Sequence, residues 1–134
     1  MNFKLEIVTP DGLLFDGEAQ KIIVRTTEGD VGIMARHSDY VASLAIGVAR
    51  VFTEDGERVA ACSGGMITVL GGIVRVIAST FEWAEDIDVA RAMKAKEKAE
   101  TRLEKAKRSD YEYKLAEIKL KKSLARLKVS GKKD

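Results

Sequence analysis

Residues 86–129 read DIDVARAMKAKEKAETRLEKAKRSDYEYKLAEIKLKKSLARLKV, without a single glycine or proline. Ala, Lys, Glu, Leu and Arg dominate, all strong helix formers. Ala92, Ala95, Ala99, Leu103 and Ala106 recur at spacings of three or four, which places them on one stripe of a helix. Tyr113, Ala116, Leu120, Leu124 and Leu127 form a second stripe. Between the stripes, Ser109-Asp110-Tyr111-Glu112 fits a capping box with Ser109 as N-cap and Glu112 at N3. The stretch therefore divides into two helices, over about 88–107 and 110–128, antiparallel across a short loop. The alanine-rich first stripe lets the helices approach closely but removes little apolar surface from water. At ~25 cal/mol per Å² such a seam contributes only a few kcal/mol, so the hairpin is expected to be marginally held.

Outward from this stretch, toward the N-terminus, the pattern changes. Phe3, Leu5 and Ile7 alternate with Lys4 and Glu6, the period of a half-buried strand. Pro10-Asp11-Gly12 supplies turn chemistry, and Ile22, Val24 and Thr26 begin a second alternation. Asp55-Gly56 separates Val48–Thr53 from Arg58–Ser63, and Gly71-Gly72 separates Met66–Leu70 from Ile73–Ser79. Both pairs read as hairpins with primed turns. About nine such strands imply an antiparallel all-β sandwich or flattened barrel over residues 1–84, followed by a helical hairpin over 85–134. Charge divides at the same place. Residues 1–84 carry 7 Lys+Arg and 11 Asp+Glu, net −4, whereas residues 85–134 carry 16 and 10, net +6. Ten of the eleven glycines lie at or before Gly72.

Apolar residues at 46% and charged residues at 33% give a soluble globular balance. No apolar run approaches the ~18 residues of a membrane span. The opening MNFKLEIVTPDG has no signal-peptide pattern, and the lone Cys62 has no partner for a disulfide within the chain. Both predict an intracellular protein, with Cys62 as a small core residue. His37 is the sole histidine, so a multi-histidine metal site is excluded and no Ser-His-Asp set stands out. Gly64-Gly65 and Gly71-Gly72 do not continue as a phosphate-binding loop, and Trp83 reads as an anchor between the halves. No catalytic site is expected. The last helix is crowded by Lys119, Lys121, Lys122, Arg126 and Lys128, either a solvated face or a surface for an anionic partner. Nucleic acid is disfavoured, because only Tyr111 and Tyr113 interleave with the charges and Glu112 and Glu117 dilute them.

Five segments in register resemble the epsilon subunits of bacterial F-type rotary ATP synthases, over residues 3–129. They are Ile7–Gly12, Glu28–Ile33, His37, Ile46–Arg50 and Ser63–Met66. Two departures are Arg36, where that family commonly has glycine, and Ser38-Asp39, where proline is common nearby. The resemblance implies a sandwich of about ten strands that grips the gamma subunit and the membrane c-ring, without inserting into the bilayer. It also implies a hairpin that either folds down on the sandwich or extends along gamma into the alpha/beta catalytic hexamer and blocks ATP hydrolysis. Joined end to end, the two helices would reach about 60 Å. In that state Lys121, Lys122 and Arg126 would meet an acidic stretch of a beta subunit.

Ile87-Asp88-Val89-Ala90-Arg91-Ala92 further resembles the motif of those epsilon subunits that bind ATP in the folded hairpin. Carried over by position, Glu82, Asp88, Arg91 and Arg126 would contact ATP, and Ile87 and Ala92 would flank the adenine. Two family arginines appear as Lys98 and Lys122, which keep the charge without the planar fork. The competing reading makes Asp86 or Asp88 the cap of the first helix, with Arg91 paired across a turn. The expected function is that of a non-catalytic coupling and inhibitory subunit, peripheral on the cytoplasmic face of the cell membrane. No cofactor is expected, and the resemblance implies ATP as a regulatory ligand. The rivals are a free-standing nucleotide-sensing domain and a nucleic-acid-binding β-domain with a basic tail.

Overall fold

The computed structural model describes residues 1–108 and 110–131. Eight strands come first: β1 Phe3–Thr9, β2 Gly12–Ala19, β3 Lys21–Thr26, β4 Gly29–Met34, β5 Tyr40–Ser43, β6 Gly47–Thr53, β7 Gly56–Leu70 and β8 Ile73–Trp83. A 3-10 turn at Ala84–Asp86 leads into α1 Val89–Lys105 and α2 Tyr111–Val129. The strands lie in the order β2-β1-β8-β7-β6-β3-β4, with β5 against β7. Of these pairings only β1 with β8 is parallel. Together they form a β-sandwich.

Eight strands stand where about ten were expected, because β7 and β8 serve both layers of the sandwich. The first half of β7, Gly56–Cys62, pairs with β6, and Met66–Val69 pairs with β5. Its register with β8 runs from Ala60↔Trp83 to Leu70↔Ile73 and skips only Gly64 opposite Ser79. Gly64 and Gly65 sit at φ 68° and 96°, so the strand bends there without ending. A Cβ at Gly65 would collide with the Ile77 carbonyl oxygen, which ties that position to glycine.

The alternation read from the sequence becomes the core. Leu5, Ile7, Ile22, Val24, Ile33, Val51, Ile67 and Val76 are fully buried. The central hydrophobic cluster is drawn entirely from residues 3–83, and none of its buried members comes from the helices. Three of the tight turns share one device. Thr9, Thr26 and Thr53 each close a strand, and their hydroxyls accept the N–H of Asp11, Glu28 and Asp55 at 3.2, 3.1 and 3.2 Å. The next residue in each is a glycine at φ 114–120°. The turn expected at Asp55-Gly56 therefore falls one residue earlier, on Glu54-Asp55, and Gly56 opens β7. It is not a primed turn, since neither Glu54 nor Asp55 has positive φ. Gly71 and Gly72, at φ 57° and 81°, do have the primed geometry.

Trp83 ends the sandwich. Its indole is buried edge-on to Phe81 and Phe15, with centroids 5.1 and 6.3 Å apart. The Arg58 guanidinium covers it at 3.7 Å and bonds to Glu85 in the 3-10 turn at 2.6 Å. That bond holds the Glu85 carboxyl below its ordinary pKa.

Asp88 caps α1, its Oδ1 accepting the Arg91 backbone N–H at 3.0 Å. The N-cap of α2 is Asp110, which puts Glu112 at the second helical position. The capping box expected from Ser109 and Glu112 is thereby replaced, and Ser109 itself lies outside the described residues. The Asp110 carboxylate instead accepts the Lys107 N–H at 3.1 Å, tying the loop back to the end of α1. α1 packs on α2, and α2 rests on β6 and β7, so the hairpin is folded down on the sandwich. Its fully buried side chains are Ala92, Ala99, Ala116, Ser123 and Leu127. Ser123 was absent from the expected stripe. Its hydroxyl donates to the Lys119 carbonyl at 2.9 Å, which removes the cost of burying it.

Candidate functional site

Where β8 ends and the hairpin begins, a cleft of about 560 Å³ opens between the sandwich and both helices. Sequence and local structure converge there. β8 delivers Glu82 on its last turn of alternation, the 3-10 turn brings Asp86, and the cap of α1 fixes Asp88. The first turn of α1 supplies Arg91 and Ala92, and the end of α2 supplies Arg126. The Arg126 Nε donates to Glu82 Oε1 at 2.6 Å, joining the second helix to the sandwich. Both groups are about one-third exposed, so the bond is a partly solvated latch. The guanidinium of Arg91 has no ion-pair partner among the described residues.

Of the residues singled out from the sequence, Glu82, Asp88, Arg91, Ala92 and Arg126 share this cleft. Ile87 is buried at the junction of the 3-10 turn and α1 and does not line it. Lys98 and Lys122 line an adjoining cleft of about 230 Å³ between the two helices, and Arg126 borders both clefts. Lys121 is exposed on α2 and lines neither. Sequence reasoning missed Thr9, Asp11, Ser79 and Thr80, which form the sandwich side of the first cleft. Thr9 and Asp11 lie some seventy positions from Ser79 and Thr80, and the parallel pairing of β1 with β8 brings them close. No local pattern signals that pairing. Cys62 sits beneath the latch, buried, and burial pushes its thiol up to about 12.

The two clefts differ in charge. The first is lined by four carboxylates (Asp11, Glu82, Asp86 and Asp88) against Arg91 and Arg126. The second is lined by Lys98, Arg102, Lys119, Lys122 and Arg126, with no carboxylate. A ligand spanning both would need a hydrogen-bonding neutral end and an anionic tail.

A second surface lies on the sandwich itself. Strand register sets Leu13, Val8, Ile77 and Met66 side by side across β2, β1, β8 and β7. Leu13, Ile77 and Met66 are 60, 45 and 40% exposed, a row of apolar side chains in water. No described helix is long and apolar enough to cross a membrane.

Comparison with known proteins agrees across the whole chain. Residues 2–84 match the family model for the beta-sandwich domain of the ATP synthase delta/epsilon chain, and residues 85–131 match that for its long alpha-helix domain. An ATP synthase epsilon chain of Ruminococcus albus is 41% identical over 132 residues, covering 98% of each chain. One of Halalkalibacterium halodurans is 39% identical over 128 residues, covering 96% of each. Among solved structures, a chain of the Euglena gracilis mitochondrial ATP synthase (OSCP/F1/c-ring) superposes with a TM-score of 0.77 at 28% identity. It covers 90% of this chain and 76% of that one.

Proposed function

The chain belongs to the ATP synthase delta/epsilon chain family, and from that premise we propose how its two parts divide the task. It is an epsilon chain of the central stalk, whose partners are gamma, the c-ring and the catalytic hexamer. Family membership favours this reading over a free-standing nucleotide sensor or a nucleic-acid-binding domain. The sandwich is the fixed part. Its exposed row at Leu13, Ile77 and Met66 offers the stalk an apolar surface that the folded hairpin leaves open.

The hairpin is the moving part, and the subunit regulates without catalysing. Folded down, it keeps Lys121, Lys122 and Arg126 on the sandwich side of the stalk; extended, it carries them to the catalytic hexamer and inhibits hydrolysis. ATP favours the folded form. The observation that carries this reading is that one cleft is built jointly by β8, α1 and α2. A ligand there binds only while the hairpin is down. At a hundred times its dissociation constant, such a ligand adds about 2.7 kcal/mol to the folded form. That is on the scale of a seam whose buried members are mostly alanine. The subunit is peripheral, on the cytoplasmic face of the cell membrane.

Hydrolysis by the assembled catalytic complex tests the inhibitory role. Removing residues 88–134 should raise it, and reversing the charges of Lys121, Lys122 and Arg126 together should raise it less. Unchanged hydrolysis after truncation would show that these helices do not inhibit.

A further inference from the structure

The cation ladder between the helices continues past the residues that the family resemblance assigns to ATP. Lys98, Lys122 and Arg126 are assigned by that resemblance; Arg102 and Lys119 are not, yet they line the same cleft. Arg102 follows Lys98 by four residues on α1, and Lys119 precedes Lys122 by three on α2. Both lie on the side toward the hairpin tip. They lengthen the basic track by about one helical turn, roughly 5 Å.

Charge dictates which end of a nucleotide can lie where. The first cleft holds four carboxylates against two guanidiniums, so a phosphate chain is repelled from most of it. The second holds five cations, no carboxylate, and the small side chains of Ala95, Ala99 and Ser123. Among the described residues, Lys98, Arg102, Lys119 and Lys122 form no ion pair. These four unpaired charges, lining one cleft beside the Glu82-bound Arg126, repel one another, and an anion laid among them relieves that repulsion. A nucleotide with its base and sugar beside Asp88 and Arg91 sends its phosphates past Arg126 and along this track. By the assignment that the resemblance implies, Arg126, Lys122 and Lys98 would meet a chain of three phosphates. The next turn of positive charge lies beyond it.

We propose that this cleft selects for phosphate chains longer than three, so that a nucleoside tetraphosphate is bound more tightly than ATP. The proposal rests on the nucleotide reading given above. Arg102 and Lys119 are its specificity-determining residues. Because both are exposed, their effect should weaken as salt rises.

Isothermal titration of the full chain with ATP and with adenosine 5′-tetraphosphate, at low salt, tests it. The wild type should bind the tetraphosphate about tenfold more tightly than ATP, a gap that closes at high salt. In the double variant Arg102→Gln, Lys119→Gln the ratio of the two affinities should fall to about one, with the thermal melt confirming an intact fold. Equal wild-type affinities for the two ligands would overturn the proposal and leave the ATP site standing. So would a double variant that weakens both ligands in proportion. Absence of binding by either nucleotide would overturn both readings together.

Discussion

Replacing Leu127 with alanine should release the hairpin while leaving the sandwich intact. Among the described residues, the side chains buried in α1 and α2 are three alanines, one serine and Leu127, so Leu127 is the one large apolar group that the two helices bury. It is 1% exposed where α2 rests on the sandwich. Truncating a fully buried leucine to alanine costs about 2–5 kcal/mol, with the spread set by how far the site collapses. The half-buried Leu103, Leu120 and Leu124 add smaller shares, and ordering the helices opposes them all. The loss is thus as large as the few kcal/mol that hold the hairpin down. The central cluster contains no buried hairpin residue, so its own stability should be nearly untouched. Hydrogen exchange resolved by segment is the assay. In Leu127→Ala, the amides of α2 should exchange orders of magnitude faster, while those of β1, β7 and β8 keep their protection. Equal loss of protection in both parts would show a single cooperative unit and refute the reasoning. Unchanged protection of α2 would show that Leu127 is not the anchor.

Two further expectations concern the sandwich. Among the described residues Arg36 is the one non-glycine at positive φ, 65°, so Arg36→Gly should relieve strain and raise stability by up to about 1 kcal/mol in chemical denaturation. A lower stability would mean that the arginine side chain compensates for its backbone. Cys62 is buried with its thiol pushed up to about 12, so iodoacetamide at neutral pH should leave the native chain unlabelled and react once it is unfolded. Rapid labelling of the native protein would show that the region beneath the Glu82–Arg126 latch opens readily.

The sequence announced what local periodicity can encode. Phe3, Leu5 and Ile7 alternate in the chain and are buried in the sandwich; Ala92, Ala99, Ala116 and Leu127 repeat at helical spacing and are buried in the hairpin. Asp88 is legible as a cap because its neighbours show where the helical pattern starts. What escaped depends on tertiary placement. The passage of β7 through Gly64-Gly65 reads as two strands, since glycines usually end an element and here they bend one. The cap of α2 falls on Asp110, whose carboxylate accepts the Lys107 N–H, a contact that no capping rule foresees. At Arg36 the backbone takes the left-handed conformation that glycine would adopt freely, which the arginine itself does not signal. In the cleft, the helical side was readable from one short segment. The sandwich side was not, because Asp11 and Ser79 meet only through a parallel pairing between distant strands.

ATP is expected to hold the hairpin down through the cleft at Glu82, Asp88, Arg91 and Arg126. Isothermal titration with ATP, paired with thermal melting, tests that on the isolated chain. Wild type should bind and be stabilised, and Arg91→Ala should lose about 1.5–3 kcal/mol of binding, a charged hydrogen bond's worth. Replacing Lys98 and Lys122 with arginine should tighten binding, since the fork grips phosphate in two bonds. If millimolar ATP gives neither heat nor a thermal shift on any of the three, Asp88 is a helix cap and the cleft is not a nucleotide site.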